Sequence, residues 1–192
     1  MGAPKAALDW QGTSLVAYVA TVVAEAVGWP VIVVRSPDQE LPPLPAGIEV
    51  TEDARPDRGP LEGLAAGLRA LGGRADVVYV SATDVPLLRP AFVRAVVAAL
   101  DEGFDAAVPR TGGHAYPLSA AYASTILPTA DLLLAEDRLS MKGLLRELRV
   151  RWLDTAELAA ADPALESLRD LDTPADLEAI SRARAGPDAY RR

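Results

Sequence analysis

Half of the 192 residues are apolar, enough for the core of an ordinary α/β domain, and this excludes a disordered or collagen-like chain. Nineteen Lys and Arg against 27 Asp and Glu leave a net charge of −8, which disfavours bulk nucleic-acid binding. It still permits a small phosphorylated ligand met by a Lys and a metal ion. With no Cys and one His, disulfides, Cys-based zinc sites, thiol nucleophiles and multi-histidine centres are excluded.

Met1 to Trp10 lacks an apolar signal core and a small-residue cleavage site. Leu15 to Val34 has the length of a spanning helix, but Glu25 lies inside it and Gly28-Trp29-Pro30 breaks it. It reads instead as a helix over 15–27, capped from Gly12-Thr13-Ser14, and a buried strand over 31–34. A cytoplasmic protein without a membrane span is expected. Residues 36–46 form a Pro-rich loop, and 47–51 a short strand. A helix over 61–71 stops at Gly72-Gly73. Val77 to Val80 is the clearest strand, and 89–100 the clearest amphipathic helix. Strands follow over 105–108 and 115–121, turned at Thr111-Gly112-Gly113. Helices over 124–134 and 141–148, a strand over 149–153 and a helix starting beside Pro174 complete the pattern.

The alternation predicts an α/β fold: a three-layer sandwich with a mostly parallel, Rossmann-like sheet and helices on both faces. One domain is expected over 1–185, with a frayed tail over 186–192.

Ligands of such sheets bind outside the carboxyl ends of the strands. Asp84 follows the clearest strand and precedes Val-Pro. It either presents a carboxylate to Mg²⁺, which takes one or two acidic ligands plus water and phosphate oxygens, or caps the turn before Pro86. Asp53 ends an earlier strand and is followed by Arg55, Asp57, Arg58 and Gly59-Pro60-Leu61-Glu62-Gly63. Gly59 permits close backbone approach and Pro60 suits a helical first turn, so a ligand could meet the helix's positive end; taken alone, the segment reads rather as an ordinary strand-to-helix connection. Lys5 reads as a solvated Lys and Asp172 as a helix cap when each is taken alone. His114 is expected to make a local hydrogen bond, and Arg149 and Arg151 to lie on a solvated strand face. No Ser–His–Asp order, Walker loop or dinucleotide fingerprint is visible.

Taken in order, Met1-Gly2-Ala3-Pro4-Lys5, Gly59-Pro60-Leu61-Glu62-Gly63, Asp84-Val85-Pro86-Leu87 and Asp172-Thr173-Pro174-Ala175-Asp176-Leu177 resemble the molybdenum cofactor guanylyltransferase family of MobA-type nucleotidyltransferases. Gly113 to Leu118, with Tyr122 after it, is similar to that family's substrate-side hairpin. The resemblance implies a nucleotide-diphospho-sugar transferase type of sheet and transfer of GMP from GTP to the phosphate of molybdenum-bearing molybdopterin, releasing pyrophosphate. It implies Mg²⁺ on Asp84, and Lys5 on the triphosphate. Asp53 and the Gly59, Pro60, Leu61 and Gly63 turn fall on the guanine and ribose side, and Tyr116, Pro117 and Asp172 on the acceptor side. The implied partners are GTP, molybdopterin and other molybdenum cofactor proteins, with no nucleic acid and no membrane. A related cytidylyltransferase, a phospholactate guanylyltransferase and a catalytically silent binding protein are the alternatives.

The family pattern places a strand and a Leu-Ala-Gly-Gly loop before its Met-Gly-x-x-Lys, whereas this sequence opens at the Met. The expectation is a chain lacking that central strand and its phosphate-cradling glycines, with unpaired backbone beside the gap. An upstream start or a truncated, inactive paralogue would account for it.

Overall fold

The structure is a computed structural model and describes residues 7–28, 30–53, 55, 58–171 and 180. The chain enters through a tight hairpin of β1 (Asp9–Trp10) and β2 (Thr13–Ser14), turned at Gln11 and Gly12 with positive φ. Ser14 takes the cap position of α1 (Leu15–Val27), and the N–H of Gly28 closes that helix on the Ala24 carbonyl. β3 (Ile32–Arg35) then pairs in parallel with β4 (Glu49–Glu52).

Helix α2 (Pro60–Leu71) begins after Gly59, whose φ of 74° and ψ of −173° belong to a region open essentially to glycine. It ends at Gly72 in the left-handed conformation, as the Gly-Gly pair predicts. Next come β5 (Val77–Ser81), α3 (Pro90–Ala98), β6 (Ala106–Thr111), β7 (His114–Ala115) and β8 (Ser119–Ala123). A 3-10 turn (Ser124–Ile126) leads into α4 (Leu127–Ala135). α5 (Met141–Glu147), β9 (Val150–Leu153) and α6 (Thr155–Ala159) complete the labelled elements. Asp154 starts α6 with a capping box, accepting from the Glu157 N–H while Glu157 accepts from its own. The helix expected beside Pro174 and the tail over 186–192 lie outside the described residues.

Burial alternates across the sheet. Ala107 and Ala121 pack with α1 and α3 residues such as Leu15, Val19 and Phe92. Ala106, Val108, Ala120 and Tyr122 pack on the opposite side with Leu61, Leu133 and Leu144 from α2, α4 and α5. Side chains of a strand point alternately to its two faces, so two separate apolar clusters define helix, sheet and helix layers.

The mostly parallel sheet is corrected. In the larger sheet strands run in the order β5-β8-β6-β9, both contacts of β8 are antiparallel and only β6 and β9 pair in parallel, while β3 and β4 pair in parallel apart from it. The reason is length: β6 reaches β8 through the β7 hairpin and a short turn, and a parallel return needs a crossover of a dozen residues or more. The expected strand over 115–121 divides for the same reason, between β7 and β8, with Tyr116 and Pro117 in the turn.

β3 and β4 form a separate pair, and no described strand joins β3 to β5. Between these two edges lies a cavity of about 480 Å³, walled by Val16, Val19 and Ala20 of α1 on one side and by Leu64, Gly67 and Leu68 of α2 on the other. Arg149 and Arg151 are not merely solvated. Arg149 clasps Asp105 through its backbone N–H, Nε and Nη2, while Arg151 bonds the Ala99 carbonyl and Asp101.

Candidate nucleotide site

Two groups of residues face each other across the carboxyl-end mouth of that cavity. Pro60 and Gly63 line it from α2, and Ser81, Ala82 and Thr83 line it from the end of β5.

On the α2 side, Asp53 leaves β4 with its N–H bonded to the Arg35 carbonyl at 2.9 Å. Its Oδ1 is buried and has no hydrogen-bond partner among the described residues. A Cβ on Gly63 would sit 3.5 Å from this oxygen, so the glycine keeps the space beside the carboxylate open. Burial, then the charge of Glu62, push the Asp53 carboxyl above its ordinary range. Leu61 anchors the first turn of α2 in the core at 0% exposure. Glu62, equally buried, lies 3.2 Å from Arg55 and 3.6 Å from Arg58. Arg58 also donates to Asp137 and to the Leu134 carbonyl, which ties the start of α2 to the end of α4. Sequence reading noted Arg55 and Arg58 without a role; the i, i+4 spacing of Arg58 and Glu62 was the available signal.

On the β5 side, Asp84 is half-buried just past the strand end, and its carbonyl accepts from the Leu171 N–H at 2.9 Å. The chain therefore reaches position 171 beside Asp84, although Asp172 itself, like Lys5, lies outside the described residues. Ala82 donates to the Leu118 carbonyl, bringing the Tyr116–Leu118 turn to the same strand end. Tyr116 is held by its N–H on the Pro109 carbonyl, and its ring meets His114 edge-on at 4.7 Å. The buried Tyr122 hydroxyl donates to the Pro117 carbonyl at 2.8 Å and fixes the turn from beneath. Of the expected site residues, Pro60 and Gly63 line the cavity itself. Asp53 lies beside Gly63, Gly59 precedes Pro60, Asp84 follows the lining residue Thr83, and Tyr116 and Pro117 precede the lining residue Leu118, whereas Leu61 is in the core.

No group of three or more His, Cys, Asp or Glu able to hold a metal occurs among the described residues. A single half-buried carboxylate at a strand end suits Mg²⁺, which keeps most of its waters and binds substrate phosphates; it does not suit a caged structural metal.

A layered α/β fold with an acidic residue after β5 and a Gly-Pro helix start beside a buried carboxylate defines a nucleotidyltransferase-type architecture. Residues 1–152 match the MobA-like NTP transferase domain, and the chain belongs to that family. A molybdenum cofactor guanylyltransferase of Desulfosudis oleivorans is 31% identical over 126 residues, 66% of this chain and 61% of that protein, so the match spans less than two thirds of that relative. A probable molybdenum cofactor guanylyltransferase of Bacillus cereus is 27% identical over 161 residues, 83% of this chain and 80% of the relative. The crystal structure of molybdopterin-guanine dinucleotide biosynthesis protein A from Archaeoglobus fulgidus superposes with a TM-score of 0.72 at 20% identity, covering 94% of this chain and 90% of that one. This last likeness establishes the fold. No described helix is long and apolar enough to cross a membrane.

Proposed function

We propose that the chain transfers GMP from GTP to the phosphate of molybdenum-bearing molybdopterin and releases pyrophosphate. What supports this reading is the place of Asp84 directly after the Ser81, Ala82 and Thr83 lining of the cavity and of Asp53 beside Gly63 of the facing α2 lining, in a chain of this family.

An oxygen of the acceptor phosphate attacks the α-phosphorus in line. The bond from that phosphorus to the bridging oxygen breaks, and its electron pair leaves with pyrophosphate. The acceptor is already ionised, so neither a protein nucleophile nor a general base is required. Bound Mg²⁺ would neutralise charge on the triphosphate and the leaving group. Asp84 is the residue proposed to hold it, with Lys5 as a second cation for the triphosphate and Asp172 near the metal and acceptor. Asp53 is proposed to accept N–H bonds from the guanine edge, because a buried carboxylate oxygen without a partner favours a ligand that donates. Gly59, Pro60, Leu61 and Gly63 shape the ribose side, and Tyr116 and Pro117 the acceptor side. Other molybdenum cofactor proteins are the proposed donors and recipients of the pterin.

The test is GTP binding with and without Mg²⁺ in the protein and in Asp84→Asn, together with pyrophosphate release in the presence of the pterin acceptor. Loss of the Mg²⁺-dependent part of binding in the variant supports the proposal. Unchanged binding and no turnover would point to a silent binding protein. CTP competing as well as GTP would move the base preference to cytidine.

A further inference from the structure

Two fully buried polar side chains lie away from the cavity, in the segment that follows α6. Asp162 and Ser167 are both at 0% exposure. Asp162 accepts from the Ser167 N–H through Oδ2 at 2.7 Å and from the Leu165 N–H through its carbonyl at 2.9 Å. Leu165 sits between them at φ 49° and ψ 36°, a left-handed conformation that residues with a side chain rarely adopt. Backbone of that kind persists only where its surroundings over-determine it, and it gathers at sites with a task.

This segment is fastened to the loop that carries Asp84, and the two run antiparallel. Arg89, just before α3, donates its N–H to Ser167 Oγ at 3.1 Å. Five residues earlier, the Asp84 carbonyl accepts from the Leu171 N–H at 2.9 Å. The Arg89 guanidinium reaches the same segment, pairing with Glu166 and lying 3.5 Å from Asp162. Between the two backbone ties, Val85, Leu87 and Leu88 pack in one cluster with Leu168 and Leu171. The loop's own turn, closed by the Leu88 N–H on the Val85 carbonyl, begins one residue after Asp84. A buried ion pair is weak support for stability, and its best-attested use is to fix one arrangement over its competitors.

We propose that residues 162–171 form a clamp that holds Asp84 in place at the strand end, with Asp162, Ser167 and Arg89 as its positioning residues. The proposal rests on the reading of Asp84 as the carboxylate for Mg²⁺. That ion demands near-ideal octahedral geometry at short oxygen distances, so a carboxylate supplied from a loop has to be fixed by groups around it. Reacting groups displaced by about 1 Å can lose two orders of magnitude in rate. Asp162 shapes the segment, Ser167 ties that shape to the loop through the Arg89 N–H, and Leu171 carries it to the backbone of Asp84.

The experiment uses Ser167→Ala, which removes one buried hydroxyl, and Asp162→Ala beside Asp162→Asn, which keeps an oxygen for the Ser167 N–H. Hydrogen exchange without nucleotide, and GTP binding titrated with Mg²⁺, are measured in each and in Asp84→Asn. Ser167→Ala is expected to speed exchange about tenfold at the amides of Arg89 and Leu171, while Ala107 and Ala121 keep their rates. It is also expected to raise the Mg²⁺ concentration for half-maximal binding about fivefold, with GTP binding in EDTA unchanged. Asp162→Ala should act in the same direction, and Asp162→Asn should recover part of the loss. Exchange that speeds equally at Ala107 and Ala121 marks a general loss of stability and overturns the proposal. So does an unmoved Mg²⁺ midpoint in Ser167→Ala where Asp84→Asn abolishes the Mg²⁺ dependence, a result that leaves the reading of Asp84 intact. If Asp84→Asn itself leaves that dependence untouched, the reading of Asp84 fails and the clamp falls with it.

Discussion

Two groups of apolar strands, β6 with β8 and β5 with β3, stand in different surroundings. On β6 and β8, Ala106, Ala107, Val108, Ala120 and Ala121 are at 0% exposure because each strand has a neighbour on both sides and a helix layer on each face. On β5 and β3 the larger Val and Ile dominate, yet all of β5 and most of β3 remain half-buried. The difference teaches that burial of a strand depends on its lateral neighbours as much as on its own residues. Apolar composition records the environment a strand is made for, and exposure records the one it has.

The largest test of that contrast is in the closed part. Phe92→Ala in α3, at 0% exposure, should cost about 3–5 kcal/mol in urea unfolding. Val50→Ala, on the open β4 at 48% exposure, should cost under ~1 kcal/mol. Equal losses would break the comparison. Gly59→Ala forces a side chain into backbone reserved for glycine and should cost about 1–3 kcal/mol without touching the closed core. Tyr122→Phe removes the bond to the Pro117 carbonyl and should cost about 1 kcal/mol, with faster exchange confined to the Tyr116–Ser119 turn.

Two charge tests come last. Arg149 holds the Asp105 carboxyl below its usual range, so the pair adds stability at neutral pH that fades as acid protonates the aspartate. The pair is partly exposed, and Asp105→Asn should cost no more than about 1 kcal/mol. Asp53 has the opposite sign. Burial raises its pKa in the folded state, so the native protein binds that proton more tightly than the unfolded chain. Stability is lost as pH rises through the raised value. Asp53→Asn should therefore raise Tm slightly at pH 7, with the gain vanishing below the ordinary carboxylate pKa of about 3.9. The same variant should weaken GTP binding if Asp53 reads the base.

Much of the layered fold was legible because its signals are local. Apolar periodicity placed α1 and α3, and the Gly-Pro and Gly-Gly pairs marked both ends of α2. Direction was not legible for β8, since it depends on how far the chain travels between partners rather than on the strand's own residues. α6 escaped because five residues carry too little periodicity; its Asp154 and Glu157 spacing was the cue available. In the site, Asp53 and Asp84 were visible as acids following strands. The bonds of Arg58 to Asp137 and the Leu134 carbonyl and the Leu171 bond to Asp84 join distant segments, so neither is written in a local pattern.

The return of β8 between β5 and β6 also sets the order in which the protein can assemble. Translation delivers β5 before either α3 or β6, but the partner that bonds its edge emerges only after the β6–β7 hairpin has been made. On the ribosome, β5 must therefore wait, with its Val side chains shielded at best by α1 and α2. Pairings between residues far apart in sequence are slow to form. The time between the exit of β5 and the exit of β8 is thus when the nascent chain is most open to aggregation or to a chaperone.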